Sequence, residues 1–200
     1  MRKLLQPVIT MSRRLAPLSD EDRATLLAVG RDSIAHGLDH NRSLAVKIVD
    51  YAAPLRVTCA TFVTIKLDKN LRGCIGTIEA RRPLIVDVAE NAFAAAFQDP
   101  RFQSVPRHEL DMLELHIALL SPPEPIQFSS EQDLERQLRS GVDGLIIEEG
   151  PCRGTFLPAV WESIPDPHDF IQALKRKAGL LETYWSKSVR VWRYATESIS

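Results

Sequence analysis

"VTCATFVTIKLDKNLRGCIGT", residues 57–77, decides the fold class, because its hydrophobic period is 2 on both sides of a three-residue turn. Val57, Cys59, Val63, Ile65 and Leu67 fall on one side of an extended chain, and Thr58, Phe62, Thr64 and Lys66 fall on the other. "DKN" turns the chain into a second extended run over 71–79, so the stretch predicts a β-hairpin with Cys59 on its apolar face. Along that second run, alternation sets Leu71, Gly73, Ile75 and Thr77 on one face and Arg72, Cys74, Gly76 and Ile78 on the other. Cys74 is thereby expected beside Arg72.

The hairpin is flanked by segments of a different period. Upstream, Ser19 followed by "DEDRATLLAVGRDSIAHGL" reads as an N-cap, an acidic first turn and a helix over 20–36 that ends near Gly37. Downstream, Pro83 opens a helix whose residues Ile85, Val88, Ala89, Ala92, Phe93 and Ala96 share a face, with Asp99-Pro100 as its stop. "MLELHIALL" from 112 reads as a strand ended by "SPPEP", and a short helix is expected over 130–139. "GVDGLIIEEGPCRGTFLP" predicts two strands around Gly150-Pro151. Asp166 and Pro167 begin a helix over 167–178 that Gly179 ends, and "SVRVWRYA" is a closing strand. Strand pairs mixed irregularly with helices predict an α+β fold, a mixed or antiparallel sheet packed with helices, and not a doubly wound parallel sheet.

Length and charge narrow the function. Two hundred residues with 44% hydrophobic content suit one ordinary globular unit, and no repeat or long linker interrupts them. A net charge of −1 gives no basic field for phosphate backbones or anionic membrane surfaces, so neither nucleic acid nor membrane is an expected partner. The N-terminal "MRKLLQPVITMSRRLAPLSD" begins like a secretory signal, but its apolar run is interrupted by Gln6 and Pro7 and lacks a small-residue cleavage site. A soluble cytoplasmic protein is expected, starting at Met1 or Met11. Cys59, Cys74 and Cys152 are odd in number and far apart, which argues for free thiols and against a disulfide framework or a cysteine-rich zinc site.

Cys74 admits two readings. A guanidinium beside a thiol favours the thiolate, and Gly73 and Gly76 leave backbone approachable by a ligand. Alternatively, the glycines make a bulge and Cys74 fills a small gap in the core. His36 and His40 have the i, i+4 spacing of a metal pair, but a helix ending at Gly37 would separate them. His108-Glu109 lacks the second histidine of a zinc protease. His116, inside an apolar strand, is either a hydrogen-bonded structural histidine or, where it meets Cys74 in space, half of a Cys-His pair. "DPRF" at 99–102 forms either a capped corner or a cleft in which Arg101 grips a carboxylate or phosphate.

In order and spacing, "LRGCIGT", "RPL", "AFAAAFQDPRF", "LELHIALLSPPEPI", "GVDGLII", "GTFLPAV" and "FIQALKRKAGL" resemble the AMMECR domain, also called AmmeMemoRadiSam system protein A. The resemblance runs over about residues 20–195. It implies a larger and a smaller lobe around a cleft, with an N-terminal extension over 1–18 and a single two-lobed domain over 19–196. It carries Arg72, Gly73, Cys74 and Gly76, with Asn91, Asp99, Arg101 and, more loosely, Lys177, onto family motif positions. The sequence departs from the family pattern at Ala159, where many members carry Gln, and at Ala118, where serine is frequent. The family name implies association with a Memo-like protein and a radical SAM enzyme; no cofactor and no metal is implied for this chain. Two functional classes follow. One is a binding or accessory component whose cleft holds a small molecule. The other is an enzyme in which Cys74 acts on an anionic substrate bound by Arg72 and Arg101.

Overall fold

A computed structural model of the chain describes residues 17–200. The expected N-terminal extension and the choice between Met1 and Met11 therefore lie outside the described residues, apart from Pro17 and Leu18. Helix α1, Asp20–His40, starts in a capping box: Ser19 accepts from the Asp22 amide while the Asp22 carboxylate takes the Ser19 amide. It runs past Gly37, the expected end, to a left-handed cap at Asn41. Gly37 serves packing instead, since a Cβ there would crowd the rings of Phe93 and Phe97. His36 and His40 consequently lie on one helix with ring centroids 4.2 Å apart, and no group of three or more metal-ligating side chains forms among the described residues.

Strands β1, Ala60–Leu67, and β2, Asn70–Gly76, form the expected hairpin. Its two-residue loop puts both Asp68 and Lys69 at positive φ, as the twist of a tight hairpin requires. The strands are shorter than 57–67 and 71–79: Thr58 makes only an isolated bridge to Pro83, and β2 ends at Gly76. Helix α2, Leu84–Phe97, buries every residue of its expected apolar face. Strand β3, Leu113–Leu120, pairs with β1, and β8, Thr196–Ile199, pairs with β3, giving an antiparallel sheet in the order β2-β1-β3-β8. Helices α1 and α2 cover the face that carries Val63, Ile65, Leu115 and Ile117, all in one core.

A second antiparallel sheet, in the order β4-β7-β5-β6, comprises Glu124–Pro125, Arg190–Tyr194, Gly144–Glu149 and Cys152–Phe156. Helices α3, Glu131–Gln137, and α4, Pro167–Ala178, close a separate core around Leu145, Ile147, Phe170 and Leu174. Helix α4 has the predicted bounds, with Asp166 as N-cap and Gly179 left-handed at its end. A small third cluster of Ala60, Leu120, Ile146 and Tyr194, with Phe62, Ile78, Leu157 and Trp192 packed on it, joins the two sheets. The fold is α+β as expected. The sequence reading ended the chain in one strand, whereas the chain crosses from the second sheet to the first at Ala195. There the Ser121 amide bonds the Ala195 carbonyl and the Ala195 amide bonds the Ser121 hydroxyl. Among the described residues no helix is long and apolar enough to cross a membrane.

Candidate functional site

Register decides what surrounds Cys74. Val63 pairs with Ile75, Thr64 with Cys74 and Ile65 with Gly73, but Lys66 pairs with Leu71, so Arg72 is the extra residue of a β-bulge. A bulge interrupts alternation at that point. The expectation that Arg72 lies beside Cys74 is therefore corrected: its Nε donates to Glu109 Oε2 at 2.8 Å and its Nη1 to the Gln103 carbonyl at 2.7 Å. Both side chains of the Arg72–Glu109 pair are largely buried, at 15% and 16% exposure, and they pin the 103–109 segment to the edge of β2.

The cation next to Cys74 is Arg101. Strand β2 is an edge, and the Cys74 amide and carbonyl point away from β1 toward the "DPRF" corner. Asp99 Oδ2 accepts from the Cys74 amide at 2.8 Å, and Arg101 Nη2 donates to the Cys74 carbonyl at 3.3 Å. The two side chains also join each other: Arg101 Nε reaches Asp99 Oδ1 at 2.9 Å and Nη2 reaches Oδ2 at 2.7 Å, a bidentate pair. Asp99 is buried and its carboxyl is held well below the usual carboxylate range, first by Arg101 and then by the backbone amides of Cys74 and Arg101, against the opposing effect of burial. Asp99 raises the Arg101 pKa most, and the Cys74 sulfur adds to that rise. Asp99 and Arg101 thus act as an artificial neighbouring strand, one acceptor and one donor, for a single residue of β2.

The Cys74 side chain lies on the sheet face turned away from α1 and α2. Because its amide and carbonyl turn outward, the Thr64–Cys74 pair is of the non-hydrogen-bonded kind, in which side chains approach closely. The Thr64 hydroxyl donates to Cys74 Sγ at 3.2 Å. Thr64 pairs on its other side with His116, making a row Cys74–Thr64–His116 across three strands. Two strand spacings separate the outer members by roughly 10 Å at Cα. His116 Nε2 is buried without a hydrogen-bond partner, and the nearest acid, Glu114, stands 4.0 Å away. No Cys74–His116 bond forms. Thr64, absent from the candidates read in sequence, was legible only through the β1–β2 register.

Gly73 and Gly76 are accounted for by packing. A Cβ on Gly73 would overlap the Ala95 carbonyl oxygen of α2, and one on Gly76 would meet the Phe62 ring and the Thr61 carbonyl. Neither glycine has positive φ. Asn91, buried on the opposite face, donates to Thr61 and to Asp87 Oδ2 at 2.9 Å, while Asp87 Oδ1 receives two bonds from Arg82. That network fastens α2 to β1 and lies apart from the thiol. Lys177 stands on α4, behind the second sheet, with its ammonium 5.0 Å from the Phe156 ring centre; partial burial lowers its pKa. The structure therefore brings Cys74, Asp99 and Arg101 together, sets Arg72 just outside them, and places Asn91 and Lys177 elsewhere. Ala118 occupies the row next to His116, opposite Phe62, and Ala159 is exposed.

One row beyond Cys74, the same face ends in a pocket of about 360 Å³ lined by Phe62, Gly76, Thr77, Ile78, Glu79 and Arg81 of the first unit and by Thr155 of the second sheet. A different pocket, of about 420 Å³, opens at the β3–β4 and β7–β8 crossings, where Arg139 and Arg193 hold the fully buried Asp143. Of these two, the first adjoins the Cys74 end of the row.

The AMMECR1 family model matches residues 27–199. A protein of Methanothermobacter thermautotrophicus is 36% identical over 190 residues, covering 92% of this chain and 96% of its own length. A protein of Thermotoga maritima is 40% identical over 138 residues, covering 68% of this chain and 74% of its own. Among solved structures, an uncharacterised protein from Pyrococcus horikoshii superposes with a TM-score of 0.82 at 29% identity, covering 90% of this chain and 92% of that one.

Proposed function

The chain belongs to the AMMECR1 family, and on that premise we propose that it is a small-ligand-binding or accessory component of the cytoplasm, working with a Memo-like protein and a radical SAM enzyme. The observation that supports this best is the engagement of the charged residues around Cys74. Asp99 and Arg101 bind each other and the Cys74 backbone, and Arg72 binds Glu109 and two main-chain carbonyls. A thiol nucleophile needs a base or a cation directed at its sulfur; here the sulfur accepts from the neutral Thr64 hydroxyl, while the nearby Arg101 spends its hydrogen bonds on Asp99 and the Cys74 carbonyl. The adjoining pocket, between 300 and 1,000 Å³ as small-molecule sites are, then receives the ligand, with Cys74 as part of its approach. The partner assignment rests on the family resemblance alone.

A second reading, an enzyme using Cys74 on an anionic small molecule, draws on the partial exposure of Cys74 and on the Arg101 guanidinium, whose side chain is 54% exposed. Iodoacetamide kinetics at pH 7 on a variant keeping Cys74 as its only cysteine separate the two. Labelling no faster than that of glutathione is the expected result. A rate tenfold or more above glutathione that falls in Arg101→Ala would establish the activated thiol and overturn the binding-module reading.

A further inference from the structure

The mouth of the pocket beside Cys74 carries a charge pattern that its packing does not use up. Glu79 lines the pocket and is held between two guanidiniums: Arg81, bound through Nε at 3.0 Å and through Nη2, which leaves its Nη1 side open, and Arg153, bound through Nη1 at 2.7 Å. These three groups leave one net positive charge, and the arginine side chains remain 75% and 40% exposed. The Arg153 hydrogen bond and then Arg81 lower the Glu79 pKa, so Glu79 stays ionised and the balance holds at neutral pH. Behind this mouth the pocket turns apolar. The Phe62 ring lies across Gly76, where any side chain would displace it, and Ile78 packs in the same cluster as Phe62, Leu157 and Trp192.

We propose that this pocket binds a small monocarboxylate with a flat apolar body, the carboxylate paired with Arg81 and Arg153 and the body laid on Phe62 and Ile78. The proposal rests on the small-ligand reading above and adds the ligand's class. A planar guanidinium matches a carboxylate through two parallel hydrogen bonds, and a single negative charge neutralises the Arg81–Glu79–Arg153 group. A phosphate dianion would exceed that charge. A volume of about 360 Å³ limits the body to one or two fused rings. Arg153 and Thr155 come from β6 while the rest comes from the β1–β2 unit, so a bound ligand would also bridge the two sheets.

Three probes of one shape test the assignment by titration calorimetry at pH 7.5: 2-naphthoate, neutral 2-naphthol and cationic 2-naphthylmethylammonium. The expected order is naphthoate tightest, at least fivefold over naphthol, with the cation weakest. The double variant R81Q/R153Q, with its fold checked by circular dichroism, should bring naphthoate within twofold of naphthol, and Phe62→Leu should weaken both at least threefold. Bound naphthoate should also slow alkylation of Cys74 in the next row. Naphthol binding as tightly as naphthoate, with Phe62→Leu weakening both, would overturn the carboxylate assignment while leaving the small-ligand pocket standing. Binding insensitive to all three substitutions would place the ligand elsewhere and overturn the site. No binding by any probe, together with unprotected Cys74, would overturn both the ligand class and the small-ligand reading.

Discussion

Removing the Asp99 carboxylate should loosen the edge of β2 by an amount that can be worked from its contacts. The buried carboxylate accepts from the Cys74 amide at 2.8 Å, the Arg101 amide at 3.1 Å and two Arg101 guanidinium nitrogens at 2.9 and 2.7 Å. Each amide bond to a charged acceptor contributes about 1.5 kcal/mol. The guanidinium pair contributes only about 0.5 kcal/mol, because the Arg101 side chain is 54% exposed and solvent screens it. Asp99→Ala should therefore cost about 3.5 kcal/mol, and at an m-value of about 2 kcal/mol/M the urea midpoint should fall by about 1.7 M. Asp99→Asn keeps one acceptor and should cost about half as much. The sign with pH follows from the lowered folded-state pKa. Asp99 contributes its full stability above the unfolded carboxyl value of about 4 and loses it as pH falls below that toward the folded value. The gap between the native protein and Asp99→Asn should thus be constant from pH 5 to 8 and narrow below pH 4. A urea midpoint within 0.3 M of the native protein for Asp99→Ala, with unchanged hydrogen exchange at the Cys74 amide, would refute the edge-clamp reasoning.

Gly73→Ala should destabilise by about 3 kcal/mol or prevent folding, because the new methyl overlaps the Ala95 carbonyl of α2 and backbone yields little; thermal unfolding by circular dichroism reads this directly. Cys59, 2% exposed and with its thiol pushed up to about 11 by burial, should resist iodoacetamide from pH 7 to 9 while Cys74 reacts; mass spectrometry of the native protein that found Cys59 labelled first would contradict the burial. Asn91→Leu should cost about 2 kcal/mol by leaving Thr61 and Asp87 short of a donor, yet leave Cys74 labelling unchanged within twofold, since the Asn91 network faces the other side of the sheet. Arg72→Ala should raise proteolytic nicking within 103–109 without altering Cys74 labelling, which distinguishes a staple from an activating cation.

Local chemistry in this chain was legible to the degree that a few neighbouring residues settle it. The N-cap at Ser19, the Asp166-Pro167 start and Gly179 end of α4, and the apolar face of α2 all depend on contacts within one or two turns, and each was placed from sequence. Alternation likewise put Cys59 on the apolar face of its strand and Cys74 across its own strand from Ile75; the β1–β2 register then set them on opposite faces of the sheet. Alternation failed at Arg72, where a single inserted residue shifts the register: the glycines signalled a bulge as one of two readings, but a pattern of period 2 does not say where the extra residue falls. Gly37 read as a stop because its real constraint, the rings of Phe93 and Phe97, lies sixty residues along the chain. The closing strand β8 was missed because its partner β3 belongs to the other sheet. Residue order alone specified an α+β chain, its helices, its hairpin and a short set of polar residues around Cys74. Tertiary packing settled which of those residues meet: it joined Asp99 and Arg101 to the edge of β2, separated His116 from Cys74 by Thr64, turned Arg72 to Glu109, and set Glu79 between Arg81 of the loop after β2 and Arg153 of the second sheet. Such meetings depend on strand register and on packing between distant segments, and neither is encoded in the spacing of residues along one stretch.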